Sequence, residues 1–441
     1  SNFFNSQNEE LLPPDLIIQD ELHLLNGPLG SVVGLFERLV EELCTKNGIK
    51  PKIIASTATT RNTDLQIRNL YNRDVAVFPP SGIHYNDSFF AYTLSKSKRK
   101  YIGFMPTGKT GMDSQLKLLA NLLYARSELL KKLREQHGSE QNKIWRDLDP
   151  YFTIVSYYNS LRDVGKTYNK VNDEIYNEYR RLLKHFSKDN GLYNFMNSGL
   201  VSRTEELTSR VPSNKIKQTL DKLEAPLEVK QVSKEQFFIE KGVDLVLASN
   251  MISVGIDVGR LNIMLINGQP RNVAEYIQAS SRVARSNEGI VFNLLDANRA
   301  REKSHFENYH SFHHAYYKFV EPLSLTPNTE ITFDKMLNSI LVGYIRHKLR
   351  KQAHDFVAED ILSVENLIKS TVGEIQLETY LTNRLRNLAE NWIGKISSAN
   401  SIGETLRYNG EKHALISKSE PWNLMFSMRE IDKQGVILIN D

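Results

Sequence analysis

The apolar positions of the chain fall into two periods. Short β-prone runs, such as DLII before Gln19, KIIAS at 52–56, FTIVS at 152–156, DLVLA at 244–248 and the stretches 261–266 and 289–295, are bounded by polar or glycine-containing segments. That is the pattern of buried strands. Between them, residues 28–46, 64–71, 113–136, 161–186 and 213–223 repeat their apolar positions at helical spacing. Asn47-Gly48 and the QHGS stretch at 136–139 supply helix stops. Strands alternating with helices predict an α/β fold built on parallel sheets flanked by helices. Past the segment EPLSLTP at 321–327 the pattern turns helical, over 333–356 and 360–396, before a β-like run at 436–439.

In open parallel sheets, ligands lie beyond the carboxyl ends of the strands. The polar residues at those ends are therefore the candidates. Asp20 and Glu21 close the first strand. An aspartate there can hold the Mg²⁺ of a nucleotide, and a neighbouring glutamate can polarise a water; a bare Asp-Glu pair would otherwise be a solvated turn. Ser56, Thr57 and Thr59 follow the second strand, where hydroxyls can couple two domains or cap the next helix. The loop after residue 248 holds Ser253, Gly255 and Asp257. Asn272 then opens a helix, with Glu275 at the capping-box position. Continued to Arg285, that helix carries Gln278, Arg282 and Arg285 on one face. Two arginines so placed can stabilise charge on a transferring phosphate. An ordinary amphipathic helix could carry them too.

Composition narrows the setting. The chain has 441 residues, enough for two to four domains, with 40% hydrophobic and 24% charged residues, a soluble globular balance. A formal net charge of +4 permits nucleic-acid binding through local patches without demanding it. The single cysteine, Cys44, excludes an intrachain disulfide and fits a reducing cytoplasm. There is no secretory signal pattern and no apolar run of membrane-spanning length. The basic run SKSKRK at 95–100 could touch a phosphate backbone, although a solvated charge run is the commoner meaning. His305, His310, His313 and His314 lack a nearby cysteine or carboxylate set, so scattered polar histidines are expected rather than a metal site.

Taken in order, the segments resemble the motifs of superfamily 2 helicases. Asp20-Glu21-Leu22-His23 is similar to motif II in its D-E-x-H form, and residues 56–59 to motif III. Tyr157-Tyr158-Asn159-Ser160 resembles motif IV, and Ser253-Val254-Gly255-Ile256-Asp257 resembles motif V. The stretch from Gln278 to Arg285 resembles motif VI, Q-x-x-G-R-x-G-R, with Ser281 and Ala284 where glycines are usual. The resemblance implies RecA-like domains, with ATP and Mg²⁺ as cofactors. It gives catalytic roles to Asp20 (also the metal residue), Glu21, Gln278, Arg282 and Arg285. Nucleotide contacts would come from His23, Gly255 and Asp257. Coupling would fall to Ser56, Thr57 and Thr59. DNA is the implied partner, with RNA not excluded, and the strand contacts are Asn159, Ser160, Ser202, Arg203 and Ser253.

The implied layout is a truncated first RecA-like domain at 1–80, an inter-domain segment at 81–148, a second RecA-like domain at 149–325 and a mainly helical accessory region at 326–441. Only nineteen residues precede Asp20, so the upstream phosphate loop is expected to be missing and this stretch alone should hydrolyse ATP poorly. The sequence from Gly103 to Thr110 fits the phosphate-loop pattern G-x-x-x-x-G-K-[ST]. It falls in the inter-domain segment, where a turn is expected and only a circularly permuted ATPase would use it. A narrower resemblance rests on QDELHL, on GPLG at 27–30, on ELTSR at 206–210 and on Ser427-Met428-Arg429. These resemble the helicase subunit of DISARM-type bacterial anti-phage systems, which implies a cytoplasmic protein working beside other defence subunits. The rival class is a non-catalytic nucleic-acid-binding or scaffold protein of helicase shape.

Overall fold

The computed structural model describes residues 12–57, 63–80, 83, 92, 96–186, 203–231, 237–253, 257–322, 325–349 and 379–387. The first elements are β1 (Leu16–Gln19), α1 (Gly27–Cys44), β2 (Lys52–Ala55), α2 (Thr63–Tyr71), β3 (Arg99–Phe104), α3 (Gly111–His137) and α4 (Gln141–Phe152). Next come β4 (Ile154–Tyr158), α5 (Leu161–Asn169), α6 (Asn177–Phe186), β5 (Thr204–Leu207), α7 (Ser213–Glu224), β6 (Glu228–Gln231), β7 (Phe237–Lys241) and β8 (Leu245–Ala248). The chain continues through β9 (Ile263–Asn267), α8 (Val273–Ser280), β10 (Gly289–Leu294), α9 (Ala300–Glu307), α10 (Tyr309–His314) and α11 (Glu330–His347). Two compact units result, one from 1–80 with 322–441 and one from 81–321.

In the first unit β1 and β2 pair in parallel, Gln19 opposite Ala55, so both carboxyl ends emerge at one edge. Leu22, Ile67, Leu70, Tyr71 and Leu325 form the core beneath that edge. Gly30 lets the returning chain approach α1, since a Cβ there would lie 2.2 Å from Leu325 Cδ2. The Asn69 amide then donates to the Leu325 carbonyl at 2.9 Å.

The second unit holds a six-stranded sheet in the order β3-β10-β9-β4-β8-β5, parallel throughout. Side chains alternate across it as a pleat requires. Leu245 and Leu247 join the core under α3, α4 and α6, with Leu119, Leu123, Phe152 and Tyr179. Val246 and Ala248 join the opposite core, with Met264, Tyr276, Val283 and Phe312. The stretch read from sequence as a connection, 81–148, supplies β3, α3 and α4 to this unit. β3 becomes an edge strand because its partner β10 comes from far along the chain, Arg99 opposite Gly289. The strand expected at 152–156 is shifted. α4 runs through Phe152, and β4 extends to Tyr158, leaving Asn159 and Ser160 as its tip. The helix expected at 333–356 is described as α11, residues 330–347, while most of 360–396 and the whole tail lie outside the described residues.

A charged node ties the second unit together. The Arg126 guanidinium meets Asp244 at 2.7 Å, both side chains fully buried, and Arg203 closes on the other carboxylate oxygen. Arg126 also donates to the Phe152 carbonyl at 2.7 Å and lies 4.3 Å from the Phe152 ring centroid. Removing one member of a buried ion pair strands the other charge. Asp244→Asn should therefore destabilise the protein by about 3–5 kcal/mol in urea denaturation. Arg203→Ala should cost clearly less than Asp244→Asn, since Arg126 still pairs with the carboxylate.

Candidate functional site

At the carboxyl edge of β1 and β2 the structure gathers the first set of expected residues. Ser56 Oγ donates to the Asp20 carboxylate, which also accepts from the Glu21 backbone N–H at 2.8 Å. Those two bonds hold the Asp20 carboxyl below the usual carboxylate range, so it is ionised at neutral pH. Glu21 sits in the left-handed region at φ 52° and ψ 45°. A non-glycine residue held there costs on the order of 1–3 kcal/mol, a strain found mostly where function fixes the geometry. The buried His23 ring lies 3.4 Å from a Glu21 carboxylate oxygen and 3.4 Å from Thr57 Oγ1. Leu22 N–H donates to the Ser56 carbonyl at 3.0 Å, so the D-E-x-H turn and the Ser-Thr segment are stitched together through backbone as well as side chains. Thr59 lies outside the described residues. The donors at this edge are hard oxygens: a carboxylate and two hydroxyls. That set fits Mg²⁺, which takes one or two protein carboxylates and completes its shell with water and phosphate oxygens. Among the described residues no group of three or more His, Cys, Asp or Glu forms a closed metal cage.

In the second unit, the residues expected to touch a strand only partly converge. Asn159 and Ser160 stand at the tip of β4, beside the end of β9, and the turn 250–253 follows β8 at the same edge. The Asn159 amide bridges the carbonyls of Asn267 at 3.3 Å and Gly268 at 3.2 Å, and Ser160 Oγ caps α5 by accepting from Arg162 N–H at 3.2 Å. The Ser253 side chain, Gly255 and Ser202 lie outside the described residues. Arg203 does not join this group. It precedes β5 at the amino end of the sheet, and its guanidinium is committed to the buried Asp244.

The arginine segment departs from the expected helix. α8 stops at Ser280, so Gln278 is helical and buried while Arg282 and Arg285 lie on the irregular chain beyond. Ala284 takes φ 57°, which no right-handed helix contains, so the segment cannot run as a helix to Arg285. The expected capping box is also replaced. Glu275 accepts from the buried Tyr157 hydroxyl, and the Val273 N–H is capped instead by Glu321 Oε2 at 2.9 Å. Arg285 pairs with Asp257, joining the two loops read as motifs V and VI within one unit.

The phosphate-loop look-alike forms a strand, a turn and a helix, but its polar residues serve the helix. Thr110 Oγ1 caps α3 by accepting from Asp113 N–H at 3.1 Å, and Lys109 Nζ lies 3.7 Å from the Asp113 carboxylate. His313 is likewise structural, while His310 and His314 are exposed. His313 Nδ1–H donates to the Tyr309 carbonyl at 2.8 Å, and Nε2 accepts from Tyr276 Oη at 2.7 Å. Burial pushes its pKa down, so the ring is neutral and anchors α8 to α10.

Residues 201–287 match the helicase conserved C-terminal domain. The chain is 35% identical over 405 residues to the DISARM protein DrmA of Bacillus paralicheniformis, an alignment covering 88% of this chain and 34% of that protein. The chain thus spans about a third of the length of that relative. Among solved structures, the DUF1998 helicase MrfA bound to DNA superposes with a TM-score of 0.50 at 14% identity, covering 74% of this chain and 37% of that one. That likeness concerns the fold, which is RecA-like. By its ordered motifs, its match to the helicase conserved C-terminal domain and its DrmA relative, the chain is similar to superfamily 2 helicases of the DISARM type.

Proposed function

We propose that the chain carries catalytic and strand-contacting parts of an ATP-driven DNA helicase or translocase. The observation that carries this reading is the assembly at the β1–β2 edge: an ionised Asp20, a strained Glu21 and the Ser56–Thr57 segment bonded to both Asp20 and His23. Bound ATP with Mg²⁺ supplies the phosphoryl group and the counter-charge for its transfer. Asp20 would hold the metal, and Glu21 would orient the hydrolytic water and take its proton. Ser56, Thr57 and Thr59 couple that step to the rest of the enzyme, and His23, in contact with Thr57, meets the nucleotide. Arg282 and Arg285 neutralise charge on the γ-phosphate, with Gln278, Gly255 and Asp257 supporting the nucleotide. Asn159, Ser160 and Ser253 lie toward the strand backbone. The relative's name suggests that this DNA work serves anti-phage defence beside other subunits.

Turnover in the full-length protein tests the reading. Glu21→Gln should lower kcat by about 10²–10⁴-fold, the usual loss on removing a general base. Arg285→Ala should lower it by about a thousandfold or more while DNA binding stays close to wild type. Wild-type hydrolysis by both variants would remove Glu21 and Arg285 from the catalytic roles, and no hydrolysis by the wild-type protein would leave the scaffold class as the answer. On the nucleic-acid side, the tip groups are amides, hydroxyls and backbone rather than base-reading pairs. Binding measured by fluorescence anisotropy should fall steeply between low and high salt and vary little with sequence. Strong sequence preference would contradict the assignment of the β4 tip to the backbone.

A further inference from the structure

The segment that presents Arg282 and Arg285 is not held by a helix, and its conformation is unfavourable by itself. Ala284 is in the left-handed region at φ 57° and is almost fully buried, at 1% exposure. An alanine there costs about 1–2 kcal/mol, so surrounding bonds must impose the turn. Those bonds come mainly from the start of β3. Arg99 Nε donates to the Val283 carbonyl at 2.7 Å, and its Nη2 to the Ser281 carbonyl at 3.3 Å. Lys98 Nζ donates to the Arg285 carbonyl at 3.1 Å. Tyr101 Oη lies 3.2 Å from Ser280 Oγ. Three alternate carbonyls of the segment are thus taken by two adjacent cations. From the other side Ala284 N–H donates to the Leu261 carbonyl at 2.8 Å. Gly289 leaves room for the turn, because a Cβ there would lie 2.8 Å from the Ala284 Cβ and 2.4 Å from the Asn262 carbonyl oxygen. Gly289 N–H also donates to the Lys98 carbonyl at 2.9 Å, which locks the clamp to the sheet.

We propose that Arg99 and Lys98 are positioning residues for Arg285, acting through the carbonyls of residues 281, 283 and 285 to enforce the left-handed turn at Ala284. They lie outside the one motif that carries the arginines, and they come from the stretch that sequence patterning leaves as a connection. Their charges are spent on backbone carbonyls at the end of α8, where cations also meet the negative end of the helix dipole. The same residues, with Tyr101, Ala284, Arg285, His313 and others, line an open cavity of about 480 Å³, so Arg285 is displayed on a wall whose shape the clamp sets. A guanidinium finger works only when its donors are preorganised where charge develops. A segment free to leave the left-handed turn would carry Arg285 away with it.

The proposal rests on Arg285 being the phosphate-facing arginine, and the test separates the two. Steady-state ATP hydrolysis is measured in the full-length protein for Arg285→Ala, Arg99→Gln, Arg99→Lys and the double variant Arg99→Gln with Ala284→Gly. With enzyme concentrations corrected for the folded fraction by circular dichroism, Arg99→Gln should lower kcat at least tenfold while KM for ATP stays within about twofold, the pattern of an interaction made only in the transition state. Glycine adopts the left-handed turn without cost, so the double variant should recover about tenfold of that loss. Should Arg99→Gln not fold, Arg99→Lys carries the test, with a reduced kcat at unchanged KM, since an ammonium cannot span both carbonyls. A near-wild-type kcat for Arg99→Gln beside a dead Arg285→Ala would overturn the clamp and leave the catalytic reading intact. A loss in Arg99→Gln that glycine at 284 does not relieve would also overturn it. Full turnover by Arg285→Ala would overturn both.

Discussion

The second unit depends on one buried carboxylate. Asp244 receives Arg126 from α3 and Arg203 from the approach to β5, while its backbone bonds the Arg203 carbonyl and the Ile154 N–H. Four elements therefore meet at a single residue on the amino side of the sheet. Burying a charge among apolar strands is costly, and the two guanidinium partners make it tolerable. The arrangement fixes β4, β5 and β8 in register, and their carboxyl ends then emerge together on the opposite side. The tip of β4, the turn after β8 and the end of β9 are neighbours because the amino ends are pinned.

The sites themselves are held by backbone rather than by deep pockets. Glu21 is kept in a left-handed turn between Asp20 and the backbone bond from Leu22 to Ser56. Ala284 is kept in another by cations and carbonyls. Each strained residue stands beside a group expected to meet a nucleotide. Strain of this kind persists only where surrounding bonds over-determine it, which ties catalytic geometry to packing.

Much of the α/β organisation was legible in the chain, because strand and helix periods differ and the sheet ends carry the polar residues. The Asp20–Glu21 edge followed from strand ends and motif order, whereas the bonds from Ser56 to Asp20 and from Thr57 to His23 come from the fold. What stayed hidden was set by long-range contacts. The spacing of Gln278, Arg282 and Arg285 fits a helix face, yet bonds from Arg99 and Leu261 end the helix at Ser280. Glu275 has the sequence position of a cap, but the buried Tyr157 hydroxyl needed an acceptor more. Arg203 follows a β-prone start and reads as a phosphate ligand; only the fold shows that it stands at the amino end, facing Asp244. β3 could not be assigned to a sheet whose adjoining strand lies at Gly289–Leu294. The signal that remained was the basic run ending at Lys100, read as surface charge although Lys98 and Arg99 face the arginine segment.

The central proposal is that Asp20 and Glu21, in the first unit, and Arg282 and Arg285, in the second, are nucleotide-contacting residues. A structure of the full-length protein with Mg²⁺ and a non-hydrolysable ATP analogue tests it directly. The account predicts the metal beside Asp20, a water on Glu21, and both guanidinium groups within hydrogen-bond reach of the γ-phosphate. A nucleotide seated instead on the loop from Gly103 to Thr110, with Asp20 and Arg285 remote from its phosphates, would contradict it.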